Sequence, residues 1–304
     1  MTIYTCTLNP SIDYVVQMDH VQLGSVNMAS FTDKQPGGKG INVSRMLHTF
    51  DVSNTALGFV GGFTGDFVLA SLDKEGIKHE FLRVEEDTRI NIKLKGKEET
   101  EINGVSPFIS SQKWSDLLHQ LEQLQKGDYL VLSGSVPSSL PNDAYSIIAA
   151  RLKGKGVHLF ADAKGEVLRS IIKQTPFLVK PNHHELGELF NVNIDSIEKA
   201  ILYGQKMIEE GVQHVIVSMA EKGAILLRGK DVFHATVPTG TVINSVGAGD
   251  SLVGGFLAVY SQTNDVEKSF AYGVASGSAT AFSLGLGTKE KIDSLVPNVS
   301  VKKL

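Results

Sequence analysis

Short, continuous apolar runs recur along the chain, separated by longer stretches in which apolar positions return every three or four residues. The runs at 3–8, 55–60, 129–133, 158–162, 177–179, 214–218 and 224–227 predict strands. Several have no polar alternation, the pattern of parallel strands covered on both faces. The clearest helical periods lie at 41–50, 114–125, 142–152, 196–210, 251–260 and 266–284. For the 196–210 helix, Asp195 is the expected N-cap and Gly211 the stop. This βαβ succession predicts an α/β fold with a doubly wound sheet. Two stretches break it. Residues 12–32 and 87–105 alternate between polar and apolar positions without a helical period. Residues 90–94 and 100–103 look like hairpin strands, expected to pair with each other and with 12–32 as a small separate sheet, a lid over the C-terminal edge of the main one.

Composition narrows the field. The chain has 304 residues, 42% hydrophobic and 20% charged, with a net charge of −4, so neither nucleic acid nor an anionic membrane is favoured as a partner. No apolar run approaches the ~18 residues that span a bilayer. The start, Met1 to Cys6, shows no basic segment followed by an apolar run, and no secretory signal is expected. Cys6 is the one cysteine, sits in a predicted strand and is expected to be a core residue; the composition fits a cytoplasmic protein.

Two glycine loops carry the candidate chemistry. Asn244-Ser245-Val246-Gly247-Ala248-Gly249-Asp250-Ser251 feeds an apolar helix. Free backbone N–H groups and the positive dipole end at such a helix start bind anions, phosphates above all. A carboxylate there repels a phosphate unless it takes a proton from an attacking hydroxyl, so a cradle containing Asp250 points to phosphoryl transfer. The plain alternative makes Asp250 an N-cap. Gln35-Pro36-Gly37-Gly38-Lys39-Gly40-Ile41-Asn42 is the second loop. It lacks Walker A spacing, and Lys39 and Asn42, three apart, share a helix face. A tight turn with an exposed lysine is its alternative.

Other candidates follow strands. Asp13, after the first strand, can accept from two sugar hydroxyls or close an Asx-type turn. In Lys180-Pro181-Asn182-His183-His184-Glu185, Asn182 and Glu185 suit Mg2+, yet Asn-x-x-Glu is also a capping pattern. Adjacent helical residues diverge by about 100°, and His183-His184 has no evident third ligand, which disfavours zinc. Ser218-Met219-Ala220-Glu221-Lys222-Gly223 and Ser133-Gly134-Ser135-Val136-Pro137 fit either phosphate loops or surface turns, and Arg89 is placed to meet an anionic group.

Taken in order, these segments resemble the PfkB (ribokinase-like) sugar kinases across essentially the whole chain. The resemblance implies one kinase domain over 1–304 with lid segments at 12–32 and 87–105, a lid often used for homodimerisation, and ATP and Mg2+. By position it makes Asp250 the base and Gly247, Ala248 and Gly249 the anion hole. Asn182 and Glu185 organise Mg2+ and phosphate. Lys180, Ser218 and Gly223 lie in the ATP site, with Asn182, Gly247 and Gly249. Asp13, Gly37, Gly38, Lys39 and Asn42 hold the sugar. Thr7-Leu8-Asn9-Pro10-Ser11-Ile12-Asp13, Thr88-Arg89-Ile90-Asn91, Thr100-Glu101-Ile102-Asn103 and Ser133 to Pro137 look like the branch acting on ketohexose phosphates. There Arg89 and Ser135 correspond to contacts with the substrate's own phosphate. The expected reaction is ATP-dependent phosphorylation of D-fructose 1-phosphate to fructose 1,6-bisphosphate, with tagatose 6-phosphate or fructose 6-phosphate as the alternative acceptor. The chain departs from the family pattern at Ala220, often glycine, and at Val105-Ser106-Pro107, usually Gly-Pro. A silent sugar- or nucleotide-binding regulator remains a rival. A nicotinamide dehydrogenase would need G-x-G-x-x-G where Asn9-Pro10-Ser11 stands.

Overall fold

The computed structural model describes residues 1–97 and 99–304. The main sheet has ten strands. In chain order they are β1 (Ile3–Thr7), β4 (Asn54–Gly61), β5 (Lys78–Val84), β8 (Tyr129–Ser133), β9 (His158–Asp162), β10 (Leu178–Val179), β11 (His214–Ser218), β12 (Ala224–Arg228), β13 (Asp231–Ala235) and β14 (Val301–Lys303). A second sheet is built from β2 (Ser11–Gln17), β3 (Phe31–Gly37), β6 (Arg89–Lys95) and β7 (Thr100–Ile102). The main order is β14-β13-β12-β11-β10-β9-β8-β1-β4-β5 and the small one β3-β2-β6-β7. From β5 to β11 all pairings are parallel, and from β11 to β14 they are antiparallel. The order reverses at β1: the chain leaves towards β4 and β5, then returns to β8 on the other side.

Helices cover both faces, as uninterrupted apolar strands require. Against one face lie α3 (Ser111–Leu121), α4 (Ala144–Leu152), α5 (Gly165–Ile172), α6 (His183–Phe190) and α7 (Ile197–Glu209), packed in a core containing Leu130, Leu132, Val215 and Val217. The other face carries α1 (Lys39–Thr49), α8 (Ala248–Thr263), α9 (Val266–Ala281) and α10 (Lys289–Leu295) over Val131, Phe160 and Ile216. A third cluster lies under α2 (Gly62–Lys74), joining Val68 and Leu72 to Ile12 of the small sheet. Cys6 is buried, and burial pushes its thiol up to about 12, so it is a core residue. No helix among the described residues is long and apolar enough to cross a membrane.

The seven main-sheet runs and six helices expected from the pattern all form, with ends shifted by a few residues. The cap of α7 is different: Ser196 Oγ accepts from Lys199 N–H, while the Asp195 carboxylate pairs with Lys199 Nζ at 2.9 Å. Serine at that position satisfies the orphan N–H and leaves the acid outside the helix. In the small sheet β3 spans 31–37 instead of lying within 12–32, so the strand runs directly into the glycine loop. Residues 90–94 and 100–103 do pair antiparallel, as β6 and β7, and β6 also runs parallel to β2. The pattern showed no sign of α2, whose first turn contains two glycines, or of β5, whose polar residues suit a sheet edge.

Gly58 lets β4 lie tight against β1. Its φ is +141°, and a Cβ there would stand 2.0 Å from the carbonyl oxygen of Thr7. Gly58→Ala is therefore expected to cost about 3 kcal/mol through strain and overpacking, read as a lower urea midpoint; an unchanged midpoint would show that the strands part freely.

Candidate active site

Because the central strands are parallel, their carboxyl ends share one edge, where open α/β sheets bind ligands. From β9, β10 and β11 respectively, Asp162, Lys180 and Ser218 reach this edge, joined by Asn9 beyond β1 and Ser135 beyond β8. The small sheet stands over it. Asp13, Gln35, Asn42, Arg45, Lys93 and Val246 line a cleft between that sheet and the starts of α1 and α8.

Asp250 is not a cap. Gly247, at φ +80°, is the N-cap residue of α8, and Asp250 sits in the first turn with its side chain turned into the protein. It is 5% exposed, and its Oδ2 accepts from Asn42 Nδ2 at 2.8 Å. Burial raises its pKa to about 6; Lys39 works against that rise and Asp162 adds to it. The Ala248 N–H closes the turn on Ser245 O at 3.2 Å, whereas the N–H groups of Gly249 and Asp250 find no backbone acceptor among the described residues. The Gly247 N–H finds none either, so three N–H groups at this helix start, those of Gly247, Gly249 and Asp250, are free for an anion.

Lys39, first residue of α1, keeps 40% of its side chain exposed, yet its ammonium is engaged by the protein. Its Nζ donates to Asp162 Oδ1 at 3.1 Å, and Lys180 Nζ approaches the same oxygen at 3.5 Å. Asp162 raises the Lys39 pKa more than burial lowers it. Lys180 lies over Gly249, where an added Cβ would be 3.1 Å from Nζ. The two cations thus stand beside the free N–H groups of α8. Asp162, absent from the sequence expectations, is the hub of this cluster. Its signal was available: it is the one acid at the carboxyl end of a buried strand.

Asp13 lies within β2, not in an Asx turn, and its Oδ1 accepts from Ser11 Oγ at 2.9 Å and Asn91 Nδ2 at 3.0 Å. Gly37 packs against that carboxylate, and Gly38 follows as the N-cap residue of α1. Asn182 and Glu185 form a complete capping box: Asn182 Oδ1 accepts from Glu185 N–H at 2.8 Å, and Glu185 Oε2 accepts from Asn182 N–H at 2.9 Å. The box leaves Glu185 Oε1 uncommitted, and Glu185 is near enough to Lys39 to help raise its pKa. Gly223 closes a tight turn, its C=O accepting from Met219 N–H at 2.8 Å, and Ser218 bridges to Asn182. His183 and His184 do meet, with ring centroids 4.0 Å apart, but no group of three metal-ligating side chains occurs among the described residues. Arg89 reaches back from β6, its Nη2 donating to Asn9 O at 3.1 Å, and its Nε is buried without a partner.

If Asp250 is a base, its carboxyl must be ionised, which happens as pH rises through about 6. A carboxyl carbon resonance titrating near 6 and missing from Asp250→Asn is expected in NMR of the protein; a midpoint at the ordinary 3.8 would mean the site does not tune it.

Comparison with known proteins places these groups in context. The family described as pfkB family carbohydrate kinase matches residues 7–292. The chain is 51% identical to the 1-phosphofructokinase of Bacillus subtilis, covering 99% of this chain and 100% of that protein. It is 34% identical to a D-tagatose-1-phosphate kinase of Bacillus licheniformis over 99% and 100% of the two chains. Phosphofructokinase-2 from Escherichia coli, solved in complex with substrates and products, superposes with a TM-score of 0.93 at 26% identity, over 98% of this chain and 99% of that one.

Proposed function

The chain belongs to the pfkB family of carbohydrate kinases, and we propose that it transfers the γ-phosphoryl group of ATP to O6 of D-fructose 1-phosphate, giving fructose 1,6-bisphosphate. The observation that carries this reading is Asp250: a buried carboxylate at the mouth of α8, beside unengaged N–H donors of that helix start and two lysines. Asp13, with Asn42, Gly37 and Gly38, holds the sugar in the cleft. Asn42 fixes Oδ2 of Asp250 and leaves Oδ1 to accept the proton of the O6 hydroxyl. As that proton transfers, O6 attacks the γ-phosphorus, the bond to the bridging oxygen of ADP breaks, and ADP leaves with the electron pair. Negative charge on the transferring group is met by the N–H groups of Gly249 and Asp250 and by Lys39 and Lys180. Ser218 and Gly223 border the nucleotide side.

Mg2+ takes a few oxygen ligands and keeps several waters. Glu185 Oε1, free of the capping box, and Asp162 Oδ2, buried without a partner, fit that requirement. Asn182 fits it less well, because its Oδ1 already accepts from Glu185 N–H. The ion would neutralise charge on the nucleotide phosphates.

One observation favours a second acceptor. A tagatose 1-phosphate kinase is among the relatives, so tagatose 1-phosphate joins tagatose 6-phosphate and fructose 6-phosphate as a competitor. ADP release measured with the four sugar phosphates is expected to give the highest kcat/KM with fructose 1-phosphate. No sugar-dependent release would restore the silent-binder reading. Asp250→Asn is expected to lower kcat by about 10²–10⁴-fold with ATP affinity retained; turnover at the wild-type rate would remove Asp250 as the base.

The small sheet also supports homodimerisation. Its period-2 alternation sends Asp13, Asn91, Lys93 and Gln35 to one face, and Tyr14, Val16, Ile90, Ile92, Leu94 and Ile102 to the other. Ile90 and Ile102 of the apolar face are exposed. A second copy covering that face gives a dimer, expected in sedimentation velocity and lost in Ile102→Lys. A monomeric wild type would exclude it.

A further inference from the structure

Asn9 lies beyond β1, next to the point where the strand order reverses between β1 and β8. It is 5% exposed. Its Nδ2 donates to Ser106 Oγ at 2.8 Å and to Ser135 Oγ at 3.0 Å, so both amide protons are committed. Its main-chain carbonyl accepts from Arg89 Nη2. One residue therefore gathers three segments: the loop before α3 and the exit of β8 through its side chain, and the lid strand β6 through its main chain.

The direction of these bonds matters. Each serine oxygen accepts from Asn9, which leaves each O–H proton to donate elsewhere. Neither hydroxyl finds an acceptor among the described residues, and the buried Arg89 Nε has none either. Burial lowers the Arg89 pKa, and Asp13 is the charge that acts against it. No carboxylate pairs with Arg89 among the described residues. The buried Arg89 Nε, on a cationic side chain, is costly until an acceptor arrives, and the half-buried Ser106 and exposed Ser135 hydroxyls have donors free to meet the same acceptor. A phosphate dianion supplies three terminal oxygens in a tetrahedral spread.

We propose that Ser106 and Asn9 complete, with Arg89 and Ser135, the cup for the phosphate that the sugar already carries. Ser106 is a direct ligand through its O–H. Asn9 is a positioning residue: it occupies the oxygens of both serines and so turns their protons towards the anion. This rests on the sugar-phosphate reading above. Ser106 stands in the Val105-Ser106-Pro107 departure from the family pattern, so this hydroxyl is a feature of this chain's own cup.

Calorimetric binding of fructose 1-phosphate, inorganic phosphate and ATP to the full-length protein tests the proposal. For Ser106→Ala, the affinity for fructose 1-phosphate and for inorganic phosphate is expected to fall about three- to tenfold, with ATP affinity unchanged; Ser106→Thr, which keeps the hydroxyl, should stay within about twofold of wild type. Asn9→Asp keeps the side-chain shape but turns two donors into acceptors and adds a negative charge. A loss of about a hundredfold or more for both phosphates, again with ATP binding intact, is expected. Wild-type affinity for both phosphates in Ser106→Ala would overturn the role of Ser106. Loss of ATP affinity in equal measure would show a merely structural role and overturn the cup. If the wild type binds inorganic phosphate in this Ser106-dependent way yet phosphorylates none of the four sugars, the kinase reading fails and the cup stands.

Discussion

The site depends on one buried acid holding two lysines. Asp162 is 1% exposed, and burial alone would drive its carboxyl to protonate. Lys180 and Lys39 more than offset that, and its pKa lies below the ordinary value. The dependence is mutual. Lys180 is 4% exposed and has no carboxylate partner other than Asp162 among the described residues, and losing one member of a buried pair costs about 3–5 kcal/mol. Because Lys39 begins the helix that follows β3, the same acid ties the end of the small sheet to the edge of the large one. The cluster carries a surplus of one positive charge before any ligand arrives, and it is aimed at the N-terminus of α8. Fixed cations beside free N–H groups need no rearrangement when negative charge develops between them.

Asp250 lives inside this field, and its environment sets both its chemistry and its cost. Burial and Asp162 raise its pKa to about 6, and Lys39 restrains the rise. The folded protein then holds a proton that the unfolded chain releases near the ordinary value of 3.8. Where the folded state binds more protons, stability falls as pH rises. The decline runs from about pH 4 to about pH 6, and the cost is fully present above that window. Each tenfold change in acidity between the two states corresponds to about 1.4 kcal/mol. A carboxylate tuned closer to neutrality is a better proton acceptor than an ordinary one. The same desolvation that weakens the fold at neutral pH therefore makes Asp250 the stronger proton acceptor that the proposed reaction needs.

How much of this was legible in the sequence depended on whether the signal was local. Both glycine loops could be read because anion cradles and helix starts are built from neighbouring residues. The continuous apolar runs identified the central strands for the same reason. Asp162 could be located, as the acid ending a buried strand, but neither it nor Asn9 could be given a role, because their partners are far along the chain: Lys39 is 123 positions from Asp162, and Ser135 is 126 from Asn9. The pattern Asn182-x-x-Glu185 showed the opposite difficulty. Its local spacing fits a cap and an ion ligand equally, and the structure shows the cap formed with one carboxylate oxygen left over. The edge strand β5 and the glycine-led helix α2 were invisible because tertiary packing, not propensity, decides them.

In the proposed reading, substrate selection follows from which sheet carries which group. Asp13 and Arg89 belong to the small sheet, where Ser11 is in register with Arg89 and Asp13 with Asn91. Lys180 and Ser135 follow strands of the large one, and Asp250 lies at the start of α8, which packs on that sheet. A sugar held by Asp13, with its phosphate on Arg89 and Ser135 and its free hydroxymethyl at Asp250, touches both sheets at once. A water molecule in place of that hydroxyl cannot span the two. Binding energy from the distant phosphate is thus available to bring the sheets together around the reacting hydroxyl, and ATP is spared from hydrolysis when the sugar is absent. A ketohexose phosphorylated on the far hydroxymethyl satisfies both ends. The unphosphorylated sugar leaves the donors of Arg89, Ser106 and Ser135 unmet, and a site built to bond a group rejects analogues that lack it more strongly than an apolar pocket does.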